Sequence, residues 1–568
     1  MPTTRILTSL LFLLVGTACV APGAQADPAD VVYTNARFVT VDEDLPEARA
    51  LAVRDGRIHA LGSVEAMAAH IGPGTEVVDL DGAFVMPGFI EGHGHFLGMG
   101  DAMLQLDLLR TESWDEIVRK VADAVALAEP GEVIRGRGWH QEKWTATPVP
   151  DVHGLPVHEG LSAVSPDNPV VLRHASGHAS FANAKAMELA GIDLTTPDPE
   201  GGEIVRGREG HAIGMFTETA QALLGPAEDG ATRPSMERLA RLADAECREN
   251  GITSFQDAGS SVAVVEALRA LVDEGALDVR LWVMIRDSHA RMEGRLDELR
   301  VVGHGDDQFT VRGIKHSIDG ALGPHGAWLL EPYADLPEST GYNTTPVETI
   351  ETSARLALEH DYQLCVHAIG DRANRETLDL FERAFGTLDD GRSGADLRWR
   401  VEHAQHLALE EIPRFVELGA IASMQGVHCT SDGPWVEPRL GERRAREGAY
   451  VWKSLIDSGA VVTNGTDAPV EDVDPIASFY ASVSRRMADG TPFYPDERMT
   501  RMQALHSYTL ANAYAAFEED IKGSLTPGKL ADMTVLSQDL LECPEDQILD
   551  TKVLYTIIGG EIVYARDS

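Results

Sequence analysis

The chain has 568 residues, of which 43% are hydrophobic and 24% are charged. This length suits one large α/β domain with insertions, together with a smaller accessory domain. The 48 lysines and arginines stand against 90 aspartates and glutamates, giving a net charge of −42, and such a surface repels nucleic acid and anionic membranes. We expect a solvated acidic coat; attraction for a cationic substrate is the alternative reading.

The first 26 residues have the pattern of a signal peptide. Arg5 precedes the apolar run ILTSLLFLLV, and small residues follow as far as an A-x-A site at residues 24–26. The run is too short to span a bilayer, so we predict export to the periplasm or beyond, with no transmembrane span. Cys19 follows Gly-Thr-Ala in a segment that resembles a lipoprotein cleavage box. Lipidation of Cys19 is therefore the alternative to cleavage after Ala26.

The four remaining cysteines are widely spaced and form no CxxC pair. This spacing indicates neither a disulfide framework nor a zinc ribbon, and predicts buried free thiols. They are Cys247, Cys365, Cys429 and Cys543.

Short strand-like segments occur at both ends of the mature chain. Asp55-Gly56 and Gly559-Gly560 each lie between two such segments, as the turn of a β-hairpin does. Neither end is long enough to build its own core. We therefore predict that residues 31–86 and 515–568 combine into one small β-sandwich.

Between these ends, apolar strands alternate with helical segments, which is the signature of βα units and a parallel sheet. Eight such strands predict a (β/α)8 barrel, of the α/β class, over residues 87–514. Residues 100–250 do not fit a single βα unit, and we interpret them as a large insertion after the first strand. The eight runs are AFVMPGFI, GITSFQDA, VRLWVMIR, FTVRGIKHS, YQLCVHA, LRWRVEHA, AIASMQ and AVVTNGTD.

In such a barrel the functional groups collect at the C-terminal ends of the strands. Strand 1 ends in EGHGH, whose two histidines point the same way because side chains alternate along a strand. Four imidazoles, one carboxylate and one amine would meet at a single mouth, so the sequence predicts a metal site. Its residues are His93, His95, Lys315, His367, His403 and Asp467.

Neutral imidazole and carboxylate suit Zn²⁺, which keeps an open position for water in catalytic sites. Lys315 is the unusual member, because an ammonium group repels a cation. Carboxylation by CO2 would turn it into a carbamate able to bridge two metal ions; an ion pair with an acid is the alternative. The glycines beside the two histidines, Gly92 and Gly94, are expected to leave room for metal and water.

The order of these residues along the strands resembles that of the amidohydrolase superfamily with a two-metal centre. Surrounding motifs are similar to those of the amidohydrolase 3 group, the YtcJ-like metal-dependent hydrolases that include N-substituted formamide deformylase. The resemblance covers about residues 31–566, with the family domain over about 76–565. The motifs are GRGWHQEKW, LRHASGHASFANAKAM, GGEIVRG, GIKHSIDGALG, VHAIGDRA, RVEHAQ and GSLTPGKLADMTVL.

The resemblance implies a specific role for each of the six residues. His93 and His95 would bind one metal with Asp467, and His367 and His403 the second, with carboxylated Lys315 bridging two Zn²⁺ ions. Asp467 would act as the general base and acid of a hydrolase that cleaves a non-peptide C–N bond in an amide, formamide or carbamate.

Further residues are candidates for substrate contact in the pocket. His178 is a candidate donor, Trp139 and His140 are candidate pocket walls, and His428 is a candidate lid residue or further metal contact. A structural role is the alternative for each. Asp319 and Asp371 are expected either to cap helices or to orient a ligand.

Alternative functions remain open on the sequence. Deamination, or hydrolysis of a cyclic imide or amidine, needs the same activated hydroxide, and a non-catalytic metal-binding barrel would have lost a ligand such as Asp467. The expected partner is a small-molecule substrate. A homodimer is compatible with this fold class, but no residue argues for it.

Overall fold

The computed structural model describes residues 27–229 and 234–567. The predicted signal peptide, with Cys19, lies outside the described residues. Within the described ranges, no helix combines the length and the apolarity that a membrane span requires.

The centre of the molecule is the predicted (β/α)8 barrel, and the structure confirms it. Neighbouring strands from first to eighth pair in parallel. The eighth strand meets the first through Gly92 N–H donating to Asn464 O (3.1 Å) and Asp467 N–H donating to His93 O (2.8 Å). The strands are β1 Phe89–Gly94, β2 Ile252–Ser260, β3 Arg280–Ile285, β4 Phe309–Ser317, β5 Gln363–Ala368, β6 Arg400–His403, β7 Ile421–Ser423 and β8 Val462–Thr463.

Helices pack around this barrel and bury its strands on the outside. The helix Asp371–Phe385 shows why: it presents Leu378 and Phe381 to the core, while charged residues such as Glu382 and Arg383 face solvent. Strands covered in this way are buried on both faces, as β3 and β5 are. The helices are Phe96–Ala102, Met236–Glu249, Val262–Asp273, His289–Met292, Leu296–Leu299, Val347–Glu359, Asp371–Phe385, Ile412–Leu418, Gly426–Leu440, Glu442–Gly448, Trp452–Ser458, Pro475–Ser484, Arg501–Ser507 and Leu510–Ala515.

The first apolar run divides into two strands that belong to different sheets. Phe84–Pro87 lies in the sheet of the chain ends, and only Phe89–Gly94 enters the barrel. The chain passes between them at Gly88, where a Cβ atom would lie 2.1 Å from Thr253 Oγ1. A continuous apolar run does not reveal such a division, because each half is buried in its own core.

Strands from both chain ends join in one hydrogen-bonded sheet. Phe84–Pro87 connects the two ends, pairing in parallel with Val31–Val39 and antiparallel with Met533–Leu536. Both predicted hairpin turns are present, each with its two turn residues at positive φ. The strands are Val31–Val39, Glu47–Arg54, Arg57–Gly62, Glu76–Asp79, Phe84–Pro87, Met533–Leu536, Val553–Ile558 and Glu561–Ala565.

The insertion after β1 forms a six-stranded sheet with a core of its own. Two of its interior strands, Ile134–Trp139 and Val170–His174, are neighbours and run parallel to each other. The strands are Leu106–Asp107, Ile134–Trp139, Val170–His174, Ala179–Ala182, Gly202–Arg206 and Ala212–Glu218, and the helices are Trp114–Val125, Glu159–Val164, Ala184–Leu189 and Gly225–Glu228.

A buried ion pair joins the barrel to the sheet of the chain ends. Arg280, at the start of β3, donates from Nε and from one terminal nitrogen to the two carboxylate oxygens of Asp532, at 2.7 and 3.1 Å. Both side chains are almost fully buried. Removing one partner would leave the other as an uncompensated buried charge.

We expect Arg280→Met to lower the free energy of unfolding by about 3–5 kcal/mol, because it leaves Asp532 buried and unpaired. The matched control is Arg295→Met, which breaks a half-exposed pair with Glu266 and should cost no more than about 1 kcal/mol. Urea unfolding followed by circular dichroism measures both. Equal effects of the two substitutions would contradict the assigned role of the pair.

Candidate metal centre

The structure brings the six predicted site residues together at the C-terminal mouth of the barrel. Asp467 Oδ1 lies 3.3 Å from His95 Nε2 and 3.7 Å from His93 Nε2. The ring centroid of His403 lies 4.6 Å from that of His93 and 4.5 Å from that of His367. The lysine and all of these groups except His95 are buried.

The potential ligand atoms fall into two groups that share the carboxylate of Asp467. One group comprises His93, His95 and Asp467, and the other comprises His403, His428 and Asp467; within each group the atoms lie within 4.8 Å of one another. The first is the set that the sequence predicted for one metal. The second includes His428, where the sequence predicted His367 beside His403.

Several of these atoms are buried without a hydrogen-bond partner among the described residues. They are His93 Nε2, His367 Nε2, His428 Nε2 and Asp467 Oδ1. An orphaned buried polar atom normally costs 1–3 kcal/mol. Four such atoms at one mouth, all from ligand-type residues, fit a divalent metal centre.

The protonation states also suit metal binding. Burial, followed by the charge of Lys315, lowers the pKa of His93 to about 4. Burial and neighbouring imidazoles hold the pKa values of His367 and His403 well below the ordinary value. Burial alone would raise the pKa of Asp467, but its histidine neighbours hold it well below its usual range. Neutral imidazoles and an ionised carboxylate are the ligand forms that Zn²⁺ requires.

Glu402 orients His93 and was not predicted. Its Oε2 lies 2.5 Å from His93 Nδ1, so His93 donates there and turns the lone pair of Nε2 toward the centre. Arg400 lies 2.7 Å from the other oxygen of Glu402. The sequence does carry a signal, since two charged residues two apart in the apolar run LRWRVEHA would share one face of a buried strand.

His367 lies beside the second ligand group, to which His403 and His428 belong. His403 Nδ1 lies 2.7 Å from Gln425 Oε1, and His428 Nδ1 is bonded to Gln405 Nε2 at 3.1 Å. His367 Nε2 lies 3.4 Å from Asp319 Oδ1. The three rings therefore crowd one side of Asp467.

Lys315 lies beside the candidate ligands at the barrel mouth. Burial lowers the pKa of its amine to about 8, with Glu402 opposing the shift. Its Nζ makes only a long contact, 3.5 Å, with the carbonyl oxygen of Ala258. A buried amine with so little stabilisation is suited to carboxylation, which needs the uncharged form.

The backbone at two ligand positions is held in the left-handed region. His403 has φ 75° and Asp467 has φ 58°. Non-glycine residues persist in this region only where surrounding contacts hold them there. For Asp467 one such contact is Glu91, whose carboxylate accepts hydrogen bonds from Thr466 N (2.6 Å) and Thr466 Oγ1 (3.2 Å). Glu91 is thus a positioning residue for the loop that carries Asp467.

The glycines of β1 serve the neighbouring strands, and the expectation that they leave room for metal and water is wrong. A Cβ atom at Gly92 would lie 2.4 Å from Asn464 O, and one at Gly94 would lie 2.5 Å from the Phe255 ring. Both positions need glycine because β8 and β2 approach so closely.

Two clefts meet at the centre and share His178, His367, His403 and Asp467 in their walls. The narrow cleft, of about 50 Å³, extends between His140 and His428. The wide cleft, of about 500 Å³, opens between the barrel mouth and the insertion. A substrate can therefore place different parts on either side of the metal centre.

Of the four candidate substrate contacts, His428 belongs to the second ligand group, and the other three lie in different surroundings. His178 lies in both clefts, 2.7 Å from Glu218, which raises its pKa against the opposing effect of burial. His140 lines the narrow cleft and stacks on Trp435. Trp139 is a correction: its ring lies in the core of the insertion and its N–H is bonded to Leu172 O at 2.9 Å, so it is packed away from both clefts.

Asp319 and Asp371 organise loops beside the centre. Asp319 accepts N–H bonds from Trp328, Ile369 and Gly370 while facing His367, and burial raises its pKa to about 7. Asp371 is the first residue of its helix rather than the cap, and it accepts the Leu330 N–H at 2.8 Å. Its carboxylate also accepts the Arg372 N–H at 2.9 Å, so Asp371 satisfies one free backbone donor of the first turn from the first helical position, while Gly370 occupies the N-cap.

Comparison with known proteins identifies the family. A profile of the amidohydrolase family matches residues 76–564. The chain belongs to this family. The match confirms the amidohydrolase 3 resemblance that the sequence motifs carry.

The amidohydrolase is similar along most of its length to three known proteins. It is 33% identical to protein LONG AFTER FAR-RED 3 of Arabidopsis thaliana, over 94% of this chain and 92% of the relative. It is 31% identical to the putative amidohydrolase YtcJ of Bacillus subtilis, over 93% and 98%. It is 28% identical to N-substituted formamide deformylase of Arthrobacter pascens, over 94% and 98%.

A solved structure shares the architecture of this amidohydrolase. It is an uncharacterised metal-dependent hydrolase of Pyrococcus horikoshii OT3, with a TM-score of 0.71 and 25% identity. The alignment covers 91% of this chain and 99% of that chain. The barrel, the insertion and the sheet of the chain ends are therefore matched together.

We expect Glu402→Gln to weaken divalent-metal binding by about 10–100-fold, because the neutral amide holds the His93 ring less firmly. Competition with a chromophoric chelator measures the affinity. Glu410→Gln, which removes an exposed carboxylate paired with Arg375, is the matched control. Since Arg400 loses its buried partner in Glu402→Gln, the thermal midpoint is recorded in parallel. Unchanged affinity in a folded Glu402→Gln protein would contradict the orienting role.

Proposed function

We propose that this amidohydrolase cleaves a non-peptide C–N bond in a small amide, formamide or carbamate. The observation that carries the proposal is the cluster of buried ligand atoms without partners around Asp467, open to two clefts. The relationship to N-substituted formamide deformylase supports the same bond class.

The proposed ligands are His93, His95 and Asp467 for one ion, and His403 for the second. His367 and His428 compete for the remaining place at the second ion, because each has a buried Nε2 without a partner. Two Zn²⁺ ions and a carboxylated Lys315 complete the proposal. When bound, the ions would lower the pKa of a water molecule and polarise the scissile carbonyl.

The residues of the chain would then handle protons and the developing charge. Asp467, whose carboxylate belongs to both ligand groups, can take the proton of the attacking water and pass it to the leaving nitrogen. His178, whose pKa Glu218 raises, can donate a hydrogen bond to the oxyanion from the cleft side. His140 and His428 would bound the smaller part of the substrate in the narrow cleft.

Three expectations from the sequence remain proposals. Export rests on the signal-peptide pattern of residues 1–26, with lipidation of Cys19 as its alternative. Homodimer formation rests on the fold class alone. A small-molecule substrate rests on the clefts and on the family.

Asp467→Asn should reduce kcat by about 10²–10⁴-fold, because the amide cannot take the proton of the attacking water. We expect the wild-type protein to hold close to two divalent ions per chain by elemental analysis, and the variant to retain most of that metal. Asp472→Asn, a nearby exposed carboxylate paired with Arg110, is the control. Full activity in Asp467→Asn, or in a metal-free protein, would refute the mechanism.

A substrate panel tests the bond class. We expect turnover of at least one amide, formamide or carbamate in the presence of Zn²⁺, followed by release of the amine. Cyclic imides, amidines, aminopurines and esters complete the panel, because the same activated water would attack them. Turnover confined to amidines and aminopurines would favour a deaminase, and turnover confined to esters would overturn the proposal.

A further inference from the structure

Three arginines, which form an arginine wall, line the wide cleft together with residues of the candidate metal centre. Arg137 and Arg173 come from two neighbouring strands of the insertion, and Arg286 follows β3 of the barrel. Arg173 and Arg286 are exposed to the space of the cleft, and Arg137 is half-buried. The cluster is unusual in a chain with a net charge of −42.

Arg137 and Arg173 are direct neighbours across two parallel strands. They are partners in the register of Ile134–Trp139 and Val170–His174. Like charges in directly opposed positions destabilise a sheet unless an anion lies between or above them. The proximity is also visible in the pKa of Arg137, which burial and then Arg173 lower to about 10.

No carboxylate among the described residues forms an ion pair with these three arginines. Arg137 donates to two backbone carbonyl oxygens, Pro469 O at 3.2 Å and Ala175 O at 3.1 Å. Arg286 donates to Ser317 Oγ at 3.2 Å. Elsewhere on this acidic surface many arginines do pair with a carboxylate, as Arg295 and Arg383 do.

The acids that line the same cleft are engaged elsewhere. Asp101 receives Arg135 on one oxygen (2.5 Å) and Gln105 on the other (2.6 Å). Glu218 is bonded to His178, and both oxygens of Asp319 accept backbone N–H groups. The positive charge of the wall is therefore available to a ligand.

We propose that the wide cleft binds a carboxylate of the substrate, held by Arg173 and Arg286 with Arg137 beside them. Arginine suits this task because its planar fork can donate two parallel hydrogen bonds to one carboxylate. The proposal rests on the hydrolase function proposed above and specifies its substrate class. It also argues against the cationic substrate that the acidic composition left open.

The two clefts then suggest how the substrate lies. The narrow cleft has room for only a few heavy atoms, which suits a formyl or acetyl group. The wide cleft would hold the nitrogen substituent with its carboxylate. Water adds to the acyl carbon, the C–N bond breaks and the nitrogen takes a proton, so that an N-acyl amino acid yields a short carboxylic acid and a free amino acid.

The test compares matched acids and amides. N-formyl and N-acetyl derivatives of glycine, leucine and phenylalanine are assayed beside their primary amides, which differ only in the carboxylate. We expect kcat/KM to be at least tenfold higher for the acids. Arg173→Gln and Arg286→Gln should each lower this acid-over-amide ratio at least tenfold. Arg119→Gln removes the same charge from the exposed face of the helix Trp114–Val125 in the insertion, and it should leave the ratio within twofold.

A binding measurement separates this proposal from the hydrolase function. In metal-loaded Asp467→Asn, calorimetry should show the acids binding at least tenfold more tightly than the amides, and Arg173→Gln in that background should abolish the preference. Wild-type turnover of amides equal to that of acids overturns the carboxylate site and leaves the hydrolase standing. If no compound is turned over, the hydrolase proposal fails for this panel. The binding measurement still tests the carboxylate site on its own, and equal affinities for acids and amides would overturn that site.

Discussion

The buried guanidinium of Arg400 is the interaction on which the centre of this protein depends. It lies inside the barrel, fully removed from solvent, and donates to Gln256 Oε1 on β2 and to the carbonyl oxygen of Gly92 on β1. It also pairs with Glu402, which holds His93 in turn. A buried charge is tolerable only when its donors are satisfied, so these strands must keep their relative positions. The hydrogen bonds that satisfy the buried charge of Arg400 thus also fix the position of His93, a candidate metal ligand.

The position of Asp467 depends on a second constraint, the closure of the barrel between β8 and β1. The contact between them leaves no space for a side chain at Gly92, and it continues as the hydrogen bond from Asp467 N to His93 O. Glu91 then holds the adjoining residue of the loop. The shared carboxylate is therefore placed by backbone contacts, which explains how it can reach both ligand groups with φ in the left-handed region.

The insertion contributes residues to the walls of both clefts at the barrel mouth. It supplies His178, His140 and two of the three arginines of the wide cleft, Arg137 and Arg173. The acidic surface and the basic cleft have different roles: the surface charge is solvated and acts weakly at a distance, whereas charges facing each other in a cleft act strongly on a bound ligand. Net charge alone therefore does not determine the sign of the charge that a ligand meets in the wide cleft.

The sequence by itself determined the barrel, the insertion and the six residues that meet at its mouth, because strand periodicity and the rule that strand ends converge are local properties. It also carried the motifs that identify the family. Only the tertiary structure decided the division of AFVMPGFI between two sheets, the burial of Trp139 in the insertion core, the approach of His428 to His403 and the orienting role of Glu402. Each of these depends on which distant segment lies alongside. The arginine wall is of the same kind, since Arg137 and Arg173 become neighbours only through the pairing of two strands far apart in the chain.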